Sequence, residues 1–216
     1  MQAVLVLGGE PLPGDAAWLR GADLVVAADS GLSWLARLGV TPTALVGDLD
    51  SVPADLVERA SADSVVIERH PADKDASDAE LALGWAEAAG ATRVVIVGGL
   101  GGGRIDHELA NLLLLTDPGW SAPLRDLRLV RGGTSVRPLR GDGRLALEGK
   151  PGDLVSLLPI GEADGVRTLG LRFELHDEPL AAGRSRGLSN EVLTTGAEVS
   201  LRSGTLLVVE TPAGEA

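Results

Sequence analysis

The sequence predicts an α/β protein whose first half holds a parallel sheet and whose second half is a separate, β-rich domain. Three observations carry this prediction. Short runs of Val, Leu, Ile and Ala without polar alternation recur through the first half of the chain. Segments with apolar residues at helical spacing lie between those runs. From Ser135 onward the segments are short, alternating and separated by Gly, Asp and Pro, with no helical pattern. Unbroken apolar strands alternating with helices imply a parallel sheet covered on both faces, so the first part is expected to be Rossmann-like. The second part is expected to be a small all-β sandwich. The composition changes near Arg131–Thr134, which gives expected domains of residues 1–133 and 134–216.

Each element has a local reason. Ala3–Leu7 reads as a buried strand ending in Gly8-Gly9, and Leu24–Ala28 as a second ending in Asp29-Ser30-Gly31. Leu32, Leu35 and Leu38 recur at helical spacing, and Gly39 is placed to stop that helix. Ala44–Val46 is the third strand, followed by a short helix over Pro53–Ala60 with Pro in its first turn. Ser64–Ile67 is the fourth strand. The helix after it opens on a capping box, Ser77-x-x-Glu80. Arg93–Val97 is the fifth strand, a helix runs through Leu109–Leu115, and Leu127–Val130 is the sixth strand. In the second half, strands are expected at Leu154–Leu158, Val166–Leu169, Phe173–Leu175, Val199–Leu201 and Thr205–Glu210.

Composition narrows the function. The chain has 216 residues, 44% of them hydrophobic but only 2% aromatic, so its core is aliphatic. With no Cys it has no disulfide, thiolate metal site or Cys nucleophile, and the expected location is cytoplasmic. No apolar run approaches a membrane span, and the N-terminus lacks the basic flank of a signal peptide. A net charge of −12 disfavours nucleic acid and anionic membranes as partners.

The polar clusters fall where ligands bind in an open parallel sheet, outside the carboxyl ends of the strands. Asp29 ends strand two. Asp48 and Asp50 follow strand three with one residue between them; continued strand geometry would put both on one side. Paired hard oxygen ligands of this kind suit Mg²⁺. Asp73-Lys74-Asp75-Ala76-Ser77-Asp78 lies beyond strand four. Gly98–Gly103 with Arg104, Asp106 and His107 follows strand five. Arg104 stands where the dinucleotide pattern G-x-G-x-x-G would need its last glycine, and Lys150 is followed by Pro151, so neither that fingerprint nor a P-loop is present. A glycine-rich run opening a helix can still cradle phosphate oxygens, with Arg104 adding a bidentate contact.

These residues resemble the thiamine pyrophosphokinase family. The resemblance rests on Ala27–Gly31 (Ala-Ala-Asp-Ser-Gly), Gly47–Ser51 (Gly-Asp-Leu-Asp-Ser), Asp73–Asp78 and Gly102–His107 (Gly-Gly-Arg-Ile-Asp-His) with Asn111. Thr168–Phe173 and Gly187–Glu191 extend it into the second half. It implies transfer of a pyrophosphoryl group from ATP to the hydroxyethyl oxygen of thiamine, giving thiamine diphosphate and AMP, with Mg²⁺. It also implies a homodimer in which thiamine sits between one subunit's catalytic edge and the partner's β domain. Asp48, Asp50 and Asp78 are then expected as catalytic, metal-linked carboxylates, and Arg104 and Lys74 as phosphate ligands. Asp29, Asp75, Asp106 and His107 would complete the ATP site, with Asp78 and Asp106 also reaching the acceptor.

Phe173 would stack on the thiazolium cation or pack in the β core. Ser189 and Asn190 would hydrogen-bond the aminopyrimidine or form a turn. Two other functions share these features: a related pyrophosphokinase acting on another hydroxymethyl heterocycle such as a pterin, and a non-catalytic nucleotide-binding module.

Overall fold

The computed structural model describes residues 1–120 and 124–215, and the chain divides into two compact units, Met1–Gly132 and Gly133–Ala216. In the first unit, β1 (Gln2–Val6) leads through a 3-10 helix (Pro13–Leu19) to β2 (Leu24–Ala28) and α1 (Gly31–Arg37). Then come β3 (Ala44–Gly47), α2 (Ala54–Ala62), β4 (Val66–Arg69), α3 (Asp78–Ala88), β5 (Arg93–Val97), α4 (Ile105–Leu114) and β6 (Asp126–Arg131). Every pairing among these strands is parallel, in the order β6-β5-β1-β2-β3-β4. The order reverses at β1, whose neighbours are β2 and β5. In an open parallel sheet, ligands bind outside the carboxyl ends of the strands beside such a reversal.

The apolar runs make these strands because both sides of the central ones are buried. Val4 and Val6 join Ala27, Leu45, Val95 and Val97 in one core with Leu32 and Leu35 of α1 and Ala60 of α2. Ala3, Leu5, Val26, Val46 and Ile96 alternate with that set along the strands and are equally buried. Helix α3 contacts β1, β2 and β3 and buries Ala79, Ala82, Leu83 and Ala86. Each buried Leu or Ile contributes about 2 kcal/mol.

The fourth strand is displaced from its expected place at Ser64–Ile67. Ser64 adopts φ +61 in the turn after α2, so pairing begins at Val66 and runs through Arg69. β4 is an edge strand and stays largely exposed, as polar residues at its end allow.

The second unit contains β7 (Thr134–Arg140), β8 (Gly143–Ala146), β9 (Leu154–Pro159), β10 (Glu162–Leu169), β11 (His176–Ala181), β12 (Asn190–Glu191), β13 (Glu198–Leu201) and β14 (Thr205–Thr211). They form two antiparallel sets, β12-β9-β14-β7 and β11-β10-β13-β8. Leu139, Leu157 and Leu206 of the first set share a core with Val166, Leu180 and Leu201 of the second. A buried ion pair borders this core. Arg137 binds Glu210 and the carbonyl of Ala146 at 3.0 Å, and Glu210 accepts the backbone N–H groups of Glu148 (2.7 Å) and Gly149 (2.9 Å).

The expected strand at Phe173–Leu175 is instead part of a bend. Leu171 and Leu175 are buried while Phe173 is 59% exposed, so Phe173 is not a core residue.

Candidate active site

The site gathers at the carboxyl ends of β1 to β5. β2 ends at Asp29, whose φ of +46 turns the chain sharply into α1. Asp tolerates this region better than most residues. Its Oδ2 accepts a hydrogen bond from the Ser51 hydroxyl, while Oδ1 is buried with no hydrogen-bond donor.

β3 ends at Gly47, and here the geometry differs from the strand expected to carry both carboxylates. Leu49 has φ +65, an expensive conformation for a branched side chain. Its side chain is compensated by burial in the sheet core. The resulting turn lets the Asp50 N–H donate to Asp48 Oδ1 at 3.1 Å. A turn, not a strand, brings the carboxylates together, and ligand atoms of Asp29, Asp48 and Asp50 lie within 4.8 Å of one another. Gly47 makes the crowding possible: a Cβ there would lie 3.0 Å from Asp78 Oδ1 and 3.3 Å from Asp29 Cβ.

Beyond β4, Lys74 reaches back into the carboxylates, with Nζ 3.2 Å from Asp48 Oδ2 and 3.1 Å from Asp78 Oδ1. Asp78 is fixed by the start of α3, where the Ser77 hydroxyl accepts the Glu80 N–H at 3.2 Å, the N-cap half of the expected capping box. The charges perturb one another. Asp48 is held below the usual carboxylate range by the Asp50 N–H and then by Lys74. Asp50 is pushed above it, mainly by the charge of Asp48. Partial burial works against the Lys74 charge, but Asp78 and Asp48 outweigh it and raise its pKa.

The loops after β1 and β5 close together on the other side. The Gly9 N–H donates to the Gly98 carbonyl at 2.9 Å, and a Cβ on Gly9 would meet that oxygen at 2.4 Å. Asn111 of α4 donates to the Gly99 carbonyl at 2.9 Å and ties the glycine loop to the helix. Arg104 forms a bidentate pair with Asp106 (2.9 and 2.6 Å), both exposed. Hydrogen bonds from Arg104 hold Asp106 well below the usual carboxylate range.

Between the two sides lies a cleft of about 370 Å³, within the range of small-ligand sites. Asp29, Lys74, Asp78, Arg104 and His107 line it, while Asp48 and Asp50 adjoin it through Asp29 and Lys74. Asp75 is exposed and does not line it. Gly8, Gly9 and Ser30 also line the cleft. The Gly-Gly after the first strand was the available sequence signal for them.

Phe173, Ser189 and Asn190 belong to the second unit. Ser189 is exposed at φ +53, and its N–H donates to Ser156 Oγ at 3.1 Å. Asn190 is only 7% exposed. Its amide is taken up by backbone groups of Phe173 and Glu191.

The donor set fits a hard divalent cation: carboxylate oxygens only, clustered, with one buried oxygen lacking a donor.

Comparison with known proteins agrees with this architecture. A curated thiamine pyrophosphokinase from Bacillus subtilis (strain 168) is 25% identical over 214 residues, covering 97% of this chain and 98% of the relative. The crystal structure of thiamin pyrophosphokinase from Geobacillus thermodenitrificans superimposes with a TM-score of 0.80 at 27% identity, covering 98% of this chain and 97% of that one. The Bacillus subtilis thiamine pyrophosphokinase structure shares the fold, with a TM-score of 0.86 at 23% identity over 98% of this chain and 99% of that one. The family model for the thiamin pyrophosphokinase catalytic domain matches residues 16–122, and that for the vitamin B1 binding domain matches residues 144–206. Between them these two models span most of the sequence, and the chain belongs to the thiamin pyrophosphokinase family, enzymes that transfer pyrophosphate from ATP to thiamine.

Proposed function

We propose that the cleft of the first unit holds ATP with Mg²⁺ and that this site performs the family's transfer to thiamine. The observation that carries the metal reading is the charge imbalance. The carboxylates of Asp29, Asp48 and Asp50 lie within 4.8 Å of one another, and among the described residues Lys74 pairs only with Asp48 and Asp78. A triphosphate is repelled by such a wall unless a divalent cation intervenes. Asp29, Asp48 and Asp50 would hold the ion, with Asp78 beside them. Bound there, Mg²⁺ would neutralise charge on the phosphate oxygens.

The chain's own groups do the positioning. The glycine loop offers backbone N–H groups to phosphate, and Lys74 and Arg104 supply its fixed cations. Arg104 must exchange Asp106 for phosphate, which leaves the Asp106 carboxylate to orient the acceptor with His107. In the reaction the hydroxyethyl oxygen bonds to the β-phosphorus. The bond from that phosphorus to the α–β bridging oxygen breaks, AMP departs with this oxygen, and the hydroxyl proton is released. Alignment of the hydroxyl with the leaving oxygen supplies most of the acceleration.

The remaining assignments belong to the same reading. Residues 1–133 form the Rossmann-like catalytic domain, with helices on both faces of its sheet. Residues 134–216 form the β-sandwich that contributes to thiamine binding and dimerisation, with Phe173 as the aromatic face for the thiazolium cation. A homodimer is supported by α4, which buries no residue and exposes Ile105, Leu109 and Leu113 at four-residue spacing. The protein is read as cytoplasmic.

The test is Asp50→Asn assayed with ATP, Mg²⁺ and thiamine. Asp50 is exposed, so the variant is expected to keep its thermal transition and lose at least about a hundredfold in kcat. Undiminished turnover would remove Asp50 from the metal site.

A further inference from the structure

Phe173 sits on a loop that is closed at both ends. At the base, the Thr168 hydroxyl accepts the Leu175 N–H at 2.9 Å and the Thr168 N–H donates to the Leu175 carbonyl at 3.1 Å. Leu171 and Leu175 sink into the core on either side of Phe173. The Glu174 carboxylate accepts the Gly170 N–H at 3.0 Å. Gly170 has φ +76, and a Cβ there would meet Thr194 Oγ1 at 2.5 Å.

At the tip the Arg172 N–H donates to the Glu191 carbonyl at 2.9 Å and the Arg172 guanidinium pairs with the Glu191 carboxylate at 3.3 Å, while the Phe173 backbone itself is held by the Asn190 side chain. Asn190 Oδ1 accepts the Phe173 N–H at 3.0 Å, and Asn190 Nδ2 donates to the Phe173 carbonyl at 2.8 Å. Oδ1 also accepts the Glu191 N–H at 2.9 Å. This pattern fixes the orientation of the amide, because the reversed one would set donor against donor. Asn190 is itself paired with Val155 of β9, so the tip is fastened to a sheet. A ring left 59% exposed on so tightly held a backbone has the form of a preorganised aromatic anchor.

We infer that Asn190 is a positioning residue for the acceptor: it acts through the Phe173 backbone, aiming the ring at a flat, cationic heteroaromatic ligand, rather than by touching that ligand. The inference rests on the proposed thiamine transfer for its kinetic readout. Its structural half stands independently.

The experiment compares Asn190→Ala, Asn190→Asp, Phe173→Ala and the Asn190→Ala/Phe173→Ala double variant. Steady-state kinetics are run with thiamine and with ATP varied, and hydrogen exchange of the Phe173 amide is followed in wild type and both Asn190 variants. Asn190→Asp nearly preserves shape and keeps the acceptor for the Phe173 N–H, so it serves if the alanine variant does not fold. Each single variant is expected to raise KM for thiamine about tenfold, leaving kcat and KM for ATP near wild type. The double variant should be no worse than Phe173→Ala alone, because two residues acting through one contact are not additive. The Phe173 amide should exchange faster in Asn190→Ala.

Multiplying effects in the double variant would overturn the inference, as would parallel losses in kcat and both KM values. If wild type turns over no thiamine, the proposed function fails and the exchange measurement decides alone. Unchanged exchange at Phe173 in Asn190→Ala would then overturn the positioning role, whereas Asn190→Asp, which keeps that acceptor, should exchange like wild type.

Discussion

Lys74→Met tests the electrostatics of the site without depending on turnover. The ammonium lies 3.2 and 3.1 Å from oxygens of Asp48 and Asp78 and is 14% exposed. At an effective dielectric of about 20, each contact is worth about 5 kcal/mol gross. Desolvation of the ammonium offsets most of that, and hydrogen-bonded charged pairs retain about 2 kcal/mol. Methionine keeps the aliphatic stem, so the variant isolates the charge. In EDTA at pH 7 the first unit is expected to lose about 2 kcal/mol, a fall of about 4–8 °C in Tm.

The pH window follows from the directions of the shifts. Asp48 is depressed, so its contribution is present above the ordinary carboxylate pKa and is lost as pH falls through the folded value. Lys74 is raised, so its contribution is present below the ordinary lysine pKa and is lost as pH rises through the folded value. The difference between wild type and variant should therefore be full between about pH 5 and pH 9 and shrink toward pH 3. The variant's cluster is more negative, so MgCl₂ should raise its Tm more than that of wild type. Thermal unfolding by circular dichroism across this grid is the assay. A Tm within 1 °C of wild type at pH 7, or an equal deficit at pH 3, would refute the argument.

Two further outcomes concern the second unit. Glu210→Gln leaves the buried Arg137 with only the exposed Glu148 carboxylate, 3.3 Å away, as a countercharge among the described residues and is expected to cost about 3 kcal/mol by chemical denaturation; a loss below about 1 kcal/mol would mean that the network is dispensable. The Asp153 carboxylate is held below its usual range by the Lys150 N–H and then the Ala213 N–H. Asp153→Asn should therefore cost about 1 kcal/mol near pH 7, with the deficit vanishing as pH falls through the folded pKa. A deficit that persists unchanged at pH 3 would assign the effect to something other than charge.

The legible parts of the sequence were those where burial decides. β1, β2, β3 and β5 are buried on both faces, so their apolar runs had no other reading. β7 and β11 went unread because Arg137 and Pro138, and later Asp177, Glu178 and Pro179, interrupt any apolar pattern. Arg137 is tolerated inside because Glu210, two residues along the neighbouring strand from its ladder partner Val208, pairs with it, and no local pattern announces that. The acidic clusters were legible as a group because a parallel sheet delivers them to one edge. The turn at Leu49 was not legible: nothing in Gly-Asp-Leu-Asp-Ser marks the leucine as the residue with positive φ. Nor could the motif say which way the Asn190 amide points, since that depends on a loop about seventeen residues away.

The most direct test of the central claim is product identity. The purified protein is incubated with ATP, MgCl₂ and thiamine, and nucleotides and thiamine esters are separated chromatographically. The account predicts AMP and thiamine diphosphate in equal amounts, both abolished by EDTA. AMP appearing only with a pterin or another hydroxymethyl heterocycle, ADP with thiamine monophosphate, or no product with any acceptor would contradict it.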